Sequence, residues 1–164
     1  MPRVHAQREA FTLVEVLVVL VIIGIAGAMV VPAMLEPGKM GVQAAARIVI
    51  ADLLFAQNEA IAKQSTHTVS FDAANNRYSV LDATGTTVVV NWKEGSGAYV
   101  VNFKEDSRFQ GVVLNNVAFK GGSAISFDAL GSPSTGGSLQ LTANGVTYVV
   151  SVAPLTGRVT VAPL

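Results

Sequence analysis

The stretch Phe11 to Leu35, FTLVEVLVVLVIIGIAGAMVVPAML, decides how this chain is organised. It contains one charged residue, Glu15, among residues that are almost all aliphatic, aromatic or small. As an α-helix it would extend about 37 Å, which is enough to cross a hydrocarbon core of about 30 Å. The ten residues before it, MPRVHAQREA, are polar. Their two arginines, Arg3 and Arg8, favour keeping them in the cytoplasm, so the part of the chain after the helix is expected outside.

Three interpretations of this segment compete. A secretory signal peptide would be cleaved after a small-x-small pattern, which Ala26-Gly27-Ala28 supplies. A simple membrane anchor would be retained whole, and a third kind of segment is cut before the apolar stretch instead of after it. Glu15 distinguishes them, because a carboxylate inside a membrane span costs about 2.5–3.5 kcal/mol. A disposable signal or a simple anchor has no use for that cost, so we expect a partner that neutralises Glu15.

The run AFTLVE at residues 10–15 resembles the N-terminal signal of type IV pilins and type II secretion pseudopilins. The resemblance implies that a prepilin peptidase cuts between Ala10 and Phe11 and methylates the new amino group of Phe11. It also implies that Glu15 faces the N-terminal amine of a neighbouring subunit, since opposite charges attract strongly at low dielectric. The family usually has glycine where Ala10 stands, and alanine is the next smallest side chain. Pro32 stands near the depth at which the family helix often breaks or kinks.

A second helix is predicted after the break at Glu36-Pro37-Gly38, over residues 39–64. Its apolar stripe at spacings of three, four and seven consists of Ala46, Val49, Ile50, Leu53, Leu54 and Ile61. Its polar residues, expected to lie largely away from that stripe, are Arg47, Asp52, Asn58, Glu59 and Lys63.

After Ser65 the spacing of the apolar residues changes to the two-residue period of β-strands. Predicted strands are 69–71, 78–81, 86–92, 112–119, 125–127, 139–141, 146–152 and 158–161, with Asn144-Gly145 as a hairpin turn. Short turns between consecutive strands predict antiparallel pairing and an α+β fold, in which a long N-terminal hydrophobic helix packs on an antiparallel β-sheet domain. The predicted organisation is a leader at 1–10, a transmembrane and assembly helix at 11–35 and an outer domain at 39–164, β-rich from 65 to 164.

Three further stretches resemble the H-type minor pseudopilins and related minor pilins: residues 126–133, Gly136-Gly137 and residues 155–159. The helix phrase around Gln57 resembles the same group, which usually has arginine at that position. The resemblance implies a structural subunit of a type II secretion pseudopilus or a type IV pilus. Its implied partners are prepilin peptidase, other pilins or pseudopilins, and the bacterial inner membrane. The chain would cross that membrane once, with its C-terminal domain outside the cytoplasm in a periplasmic or surface filament.

The charge pattern does not favour nucleic-acid binding. Formal net charge is zero, and no basic run occurs after the first ten residues. Arg158 is the residue that a DNA-binding function would use, but phosphate binding normally draws on several cations. A membrane-anchored minor pilin that binds DNA or a secreted substrate is the alternative function.

Catalytic and metal-binding patterns are missing from the sequence. The chain has no cysteine, no glycine-rich phosphate loop and no histidine pair at ligand spacing, so we expect no enzyme and no cofactor. His67, the one histidine left after the predicted cut, is expected at the surface. The pair Glu105-Asp106 is expected in a solvated loop, because calcium needs six to eight oxygen ligands. Four aromatic residues are expected in the β core and not on a binding face: Trp92, Tyr99, Phe103 and Phe109.

Overall fold

The computed structural model describes residues 12–34, 37–90 and 97–164, with side chains described throughout except at residues 29–39. The chain divides into two compact units, Met1–Glu36 and Pro37–Leu164. The first unit contains helix α1, Leu13–Met34, which is about 33 Å long. Its described large hydrophobic side chains are exposed, from 47% at Val18 to 81% at Leu13. A helix that is apolar on every face requires apolar surroundings, such as lipid or other helices.

Helix α2, Pro37–Lys63, begins two residues before the predicted start at Lys39. Proline is favoured in the first turn because its missing N–H would have no helical partner there, so Pro37 starts the helix instead of preventing it. The helix ends before Gln64, which has a positive φ of 49°. The Gln64 side-chain amide donates a 2.7 Å hydrogen bond to the carbonyl of Ile61 and so satisfies one terminal carbonyl of the helix.

The buried face of α2 is built mainly from small residues. Its buried apolar members are Val42, Ala45, Ala46, Val49, Leu53, Ala56 and Ala60. The alanines let the helix approach strands of both sheets closely. The predicted stripe is confirmed at Ala46, Val49 and Leu53, but Leu54 and Ile61 are each 43% exposed. The prediction was wrong there because it gave more weight to large side chains than to the alanine positions.

By length and composition, one described helical stretch could span a membrane: Met40–Lys63. Because 44% of its 18-residue apolar window is buried inside the folded unit, it is better explained as a core helix. The shorter stretch Leu13–Ala28 of α1 is also apolar.

Eight strands complete the described chain. They are β1 His67–Asp72, β2 Arg77–Leu81, β3 Val100–Asn102, β4 Val113–Phe119, β5 Ala124–Phe127, β6 Gly137–Ala143, β7 Val146–Val152 and β8 Val159–Pro163. They form two four-stranded sheets, with orders β3-β2-β1-β5 and β4-β6-β7-β8. Every pairing is antiparallel, so the predicted α+β class is confirmed. The predicted hairpin turn at Asn144-Gly145 joins β6 to β7, and both residues have positive φ.

The predicted strand at 86–92 is only partly present. Thr87 and Val89 form isolated bridges, whereas Trp92 lies outside the described residues. The Val88 amide donates a hydrogen bond to the Val80 carbonyl, and the Val88 carbonyl accepts one from the Tyr99 amide. The segment therefore bonds to two neighbours, but over too few residues to form a continuous ladder. Strand β3, which the sequence pattern did not predict, forms the edge of that sheet instead.

A buried aromatic cluster and one asparagine join the two sheets. Phe71 of β1 stacks on Phe119 of β4, with ring centroids 5.6 Å apart. Asn76, in the turn between β1 and β2, is buried; its side chain donates to the Val112 carbonyl and accepts from the Leu114 amide, both at 2.7 Å. Tyr99, Phe103 and Phe109 are buried, as predicted.

Candidate functional site

The first turn of α1 carries the one charged residue of that helix. Thr12 precedes the helix, and its side-chain hydroxyl accepts a 3.2 Å hydrogen bond from the Glu15 amide. Thr12 is therefore the N-cap and Glu15 the third helical residue, in the threonine-x-x-glutamate pattern of a capping box. The Glu15 carboxylate has no hydrogen-bond donor among the described residues, and it shares an exposed, otherwise apolar face of the helix with Val16, Val19 and Leu20. The cap thus holds the backbone of Glu15 while leaving its charge available to a group outside the described residues.

The other residues singled out in the N-terminal segment are only partly described. Ala10 and Phe11, on either side of the predicted cut, lie outside the described residues. Pro32 lies within α1, which continues to Met34 before the two residues that separate it from α2. A break or kink at Pro32 stays a prediction.

A buried polar cluster in the second unit was not predicted. Asp52 of α2 is only 6% exposed and accepts hydrogen bonds from the hydroxyls of Tyr78 at 2.5 Å and Tyr99 at 2.7 Å. Burial, together with the neighbouring carboxylate, raises the pKa of both tyrosines, so both hydroxyls remain protonated donors at neutral pH. Phe55 stacks on Tyr99, with ring centroids 4.8 Å apart. The cluster ties α2 to β2 and to the residue before β3.

Asp52 was expected on the polar side of the helix, and that prediction was wrong. A helical pattern alone cannot show that two tyrosines from another element will supply donors to a buried carboxylate. One signal was available: Asp52 falls three residues after Val49 and four before Ala56, which places it on the small-residue face of α2.

The prediction for His67 was also wrong, because its side chain is fully buried. His67 begins β1, in which alternate side chains point inward, and its Nδ1 lies 3.1 Å from the Ser65 carbonyl. Its Nε2 is buried without a hydrogen-bond partner among the described residues. The residue serves the core at the helix-to-strand junction.

In the acidic pair at 105–106, Asp106 contacts residues next to it in the sequence. Asp106 caps the short 3₁₀ helix Ser107–Phe109 and forms a 2.6 Å ion pair with the exposed Arg108. Hydrogen bonding to Asp106 raises the pKa of Arg108, and the guanidinium lies over the Phe109 ring at 5.1 Å.

Within the described part of the chain, no three histidine, aspartate or glutamate residues are grouped to hold a metal. Arg158 is exposed and makes no salt bridge within that same part.

Comparison with known protein families identifies the family of this chain. The model of the type II transport protein GspH family matches residues 45–156, more than half of the chain. The chain belongs to the GspH family. A second family model, the prokaryotic N-terminal methylation motif, matches residues 6–31. That match covers Ala10, Phe11 and Glu15, on which the resemblance was based.

Solved structures agree on the fold of this GspH-family chain. The minor pseudopilin EpsH from the type 2 secretion system of Vibrio cholerae is 19% identical, with a TM-score of 0.54 over 76% of this chain and 95% of that one. The type IV minor pilin FimU of Pseudomonas aeruginosa is 18% identical, with a TM-score of 0.51 over 74% and 88%. At these identities the likeness shows the pilin-like fold. No curated protein sequence matches the chain.

The chain is therefore a minor pseudopilin or minor pilin, of the kind that serves a type II secretion pseudopilus or a type IV pilus. Its methylation motif implies processing by a prepilin peptidase. The family is one of structural subunits that assemble with other pilins in a filament.

Proposed function

We propose that this GspH-family chain enters its filament through α1, and that Glu15 selects and fixes the N-terminus of a neighbouring subunit. The observation that carries the proposal is the first turn of α1. A single carboxylate, held at a capped helix start, lies in a helix whose described large hydrophobic side chains are all exposed. The protein acts by packing and not by catalysis.

The proposed sequence of events begins at the membrane. Prepilin peptidase cuts between Ala10 and Phe11 and methylates the Phe11 amine, while the polar leader with Arg3 and Arg8 stays in the cytoplasm. The processed chain remains in the inner membrane as a single span, and residues 37–164 lie outside the cytoplasm. α1 then moves from lipid into a bundle with the apolar helices of other subunits.

Glu15 gives this step its specificity. A buried carboxylate without a partner is costly, whereas the same carboxylate beside a cationic amine is attracted strongly at low dielectric. Correct axial position of a neighbouring helix brings its N-terminal amine to Glu15, and a slipped position leaves both charges unpaired. The pair thus determines register more than net stability.

The test begins with mass spectrometry of the N-terminal peptide from native membranes. A peptide that starts at methylated Phe11 supports the proposal; a start at Met29 indicates signal-peptide cleavage after Ala28 and contradicts it. Glu15→Ala should insert in the membrane normally but be recovered with the filament at a fraction of the wild-type level. The matched control is Glu59→Ala, which removes a carboxylate from the exposed Lys63 ion pair of α2. Normal incorporation of Glu15→Ala would reject the assembly role of Glu15.

A further inference from the structure

In the proposed function α1 spans the inner membrane, and the chain then allows little distance between the bilayer and the start of α2. α1 ends at Met34 and α2 begins at Pro37. Three residues extend at most about 11 Å, and Met40 stands about 4.5 Å further along the helix. The headgroup layer on one side of a bilayer is about 5–8 Å thick. The first turns of α2 are therefore held at the membrane surface, in any orientation of the second unit.

This end of the second unit carries an open, mainly apolar groove of about 590 Å³. The groove lies between the first turns of α2, the loop at 107–111 and the β6–β7 turn, which contribute Met40, Gln110 and Asn144 among its lining residues. A Cβ on Gly41 would lie 3.8 Å from the carbonyl of Arg108, so the helix and the loop are in contact beneath the groove. Met40 is 73% exposed. The groove therefore presents a long apolar side chain to whatever lies beside the start of α2.

The chemistry of the groove suits the boundary between lipid headgroups and acyl chains. Its apolar surface is bordered by uncharged polar side chains, and the guanidinium of Arg108 is already paired with Asp106 at 2.6 Å. An apolar surface with a polar border is what an interfacial membrane contact requires. Exposure alone does not distinguish this end of the unit, since Leu130 is 83% exposed in a loop that Gln64 binds at the other end of α2. That loop lies about 36 Å further along the helix, so the chain does not hold it at the membrane.

We propose that this groove docks on the lipid surface on the outer side of the inner membrane, with the Met40 side chain inserted between headgroups and acyl chains. The occupant is lipid and not another protein. Insertion of α1 has already removed most of the translational freedom of the second unit, so docking is an intramolecular step for which a small contact suffices. The contact belongs to the subunit that waits in the membrane, and it breaks when α1 leaves the bilayer. The inference rests on the proposed function, since it requires a membrane-spanning α1.

The first experiment locates the groove relative to lipid in the full chain. The chain has no cysteine, so a single introduced cysteine can carry a fluorophore at Gln110 in the groove or at Leu130 at the other end of α2. The labelled chain is reconstituted in phosphatidylcholine vesicles that contain lipids with a nitroxide on the headgroup, which quenches a fluorophore only at short range. Quenching of the Gln110 probe should exceed that of the Leu130 probe at least two-fold. Equal quenching at the two positions overturns the docking.

The second experiment separates docking from nearness that α1 alone imposes. Met40→Glu should keep the fold, because the position is exposed and a carboxylate near a helix N-terminus is favourable. It should lower quenching of the Gln110 probe at least two-fold, because a charge is costly at the edge of the acyl chains. Leu130→Glu is the matched control at the other end of α2 and should leave that quenching unchanged. Unchanged quenching in Met40→Glu overturns the proposal.

A third probe, on a cysteine at Val19 of α1, keeps this inference distinct from the proposed function. Lipids with a nitroxide on the acyl chain should quench it equally with and without Met40→Glu. A loss of quenching at Gln110 that leaves Val19 quenched then concerns the second unit alone and supports the docking. Absence of quenching at Val19 in the otherwise unaltered chain rejects the membrane step of the proposed function, and the docking is rejected with it.

Discussion

The Tyr78 hydroxyl donates a 2.5 Å hydrogen bond to Oδ2 of Asp52, joining strand β2 to the middle of helix α2. Tyr99 donates to the other carboxylate oxygen at 2.7 Å. A buried carboxylate with two directional donors permits one position. We infer that this cluster fixes the axial position of α2 on the sheets.

Tyr78→Phe tests the cluster. The substitution keeps the ring and removes one donor from a buried carboxylate, which should lower the free energy of unfolding by about 1–3 kcal/mol. Chemical denaturation of the wild type and the variant measures the difference. Tyr148→Phe is the matched control, because the half-buried Tyr148 hydroxyl makes no hydrogen bond within the described residues. Equal small effects of the two substitutions would show that Asp52 does not depend on Tyr78.

The sequence predicted the elements better than the contacts between them. Helix α2, most of the strands and the Asn144-Gly145 turn are explained by local periodicity and turn chemistry, which neighbouring residues determine. Asp52, His67 and Asn76 could not be placed, because their burial depends on donors and acceptors from elements distant in sequence. A polar residue is expected at the surface unless such a partner satisfies its hydrogen bonds in the core.

The N-terminal site, in contrast, was easier to recognise from the sequence than the buried contacts were. Glu15 was recognised from six consecutive residues, because a charge in an apolar helix is conspicuous in sequence. The structure adds what the sequence reasoning had not used: Thr12 caps the turn that carries Glu15.

Gly157→Ala should destabilise the fold more than an ordinary glycine replacement. Gly157 has a φ of +65°, and a Cβ there would lie 2.8 Å from the Gln57 amide nitrogen. Gly85 has a similar φ of +79° with nothing within 4 Å, so Gly85→Ala should cost only the backbone penalty of about 1–2 kcal/mol. Gly157→Ala should cost about 1–3 kcal/mol more through overpacking. Equal unfolding free energies for the two variants would mean that Gln57 moves away without cost.

Asp82 should stabilise the fold only above acid pH. The Thr84 hydroxyl donates a 2.6 Å hydrogen bond to its carboxylate, and this contact, together with the Thr86 and Thr84 amides, holds the pKa of Asp82 below its ordinary 3.8. A group with a lowered folded-state pKa contributes stability above the unfolded value and loses it as pH falls through the folded value. The difference in thermal unfolding temperature between wild type and Asp82→Ala should therefore be present at pH 6 and shrink below about pH 3.8. The exposed Glu105 serves as control in Glu105→Ala, and a difference for Asp82→Ala that is constant with pH would contradict the prediction.

A fragment of residues 37–164 should fold by itself. The buried core extends from Val42 to Val152, entirely within the second unit. The fragment should be soluble and unfold cooperatively, whereas a fragment starting at residue 50 lacks Val42, Ala45, Ala46 and Val49 and should not. Circular dichroism during heating distinguishes the two. Cooperative unfolding of the shorter fragment would show that the first turns of α2 are dispensable for the core.

Thr12→Val should loosen the turn that carries Glu15 without changing the polarity of the rest of α1. Valine has nearly the shape of threonine but lacks the side-chain acceptor for the Glu15 amide, which keeps only its 3.1 Å hydrogen bond to the backbone carbonyl of residue 12. Loss of an N-cap costs about 0.5–2 kcal/mol. Amide hydrogen exchange at Glu15, measured on the full chain in detergent micelles, should therefore speed up by roughly 2- to 30-fold. Thr12→Ser keeps the acceptor and should exchange like the wild type. If the Glu15 carboxylate sets the register as proposed, Thr12→Val should also lower recovery with the filament, though less than Glu15→Ala does. Faster exchange with full recovery would separate the cap from assembly and leave the Glu15 charge alone responsible for register.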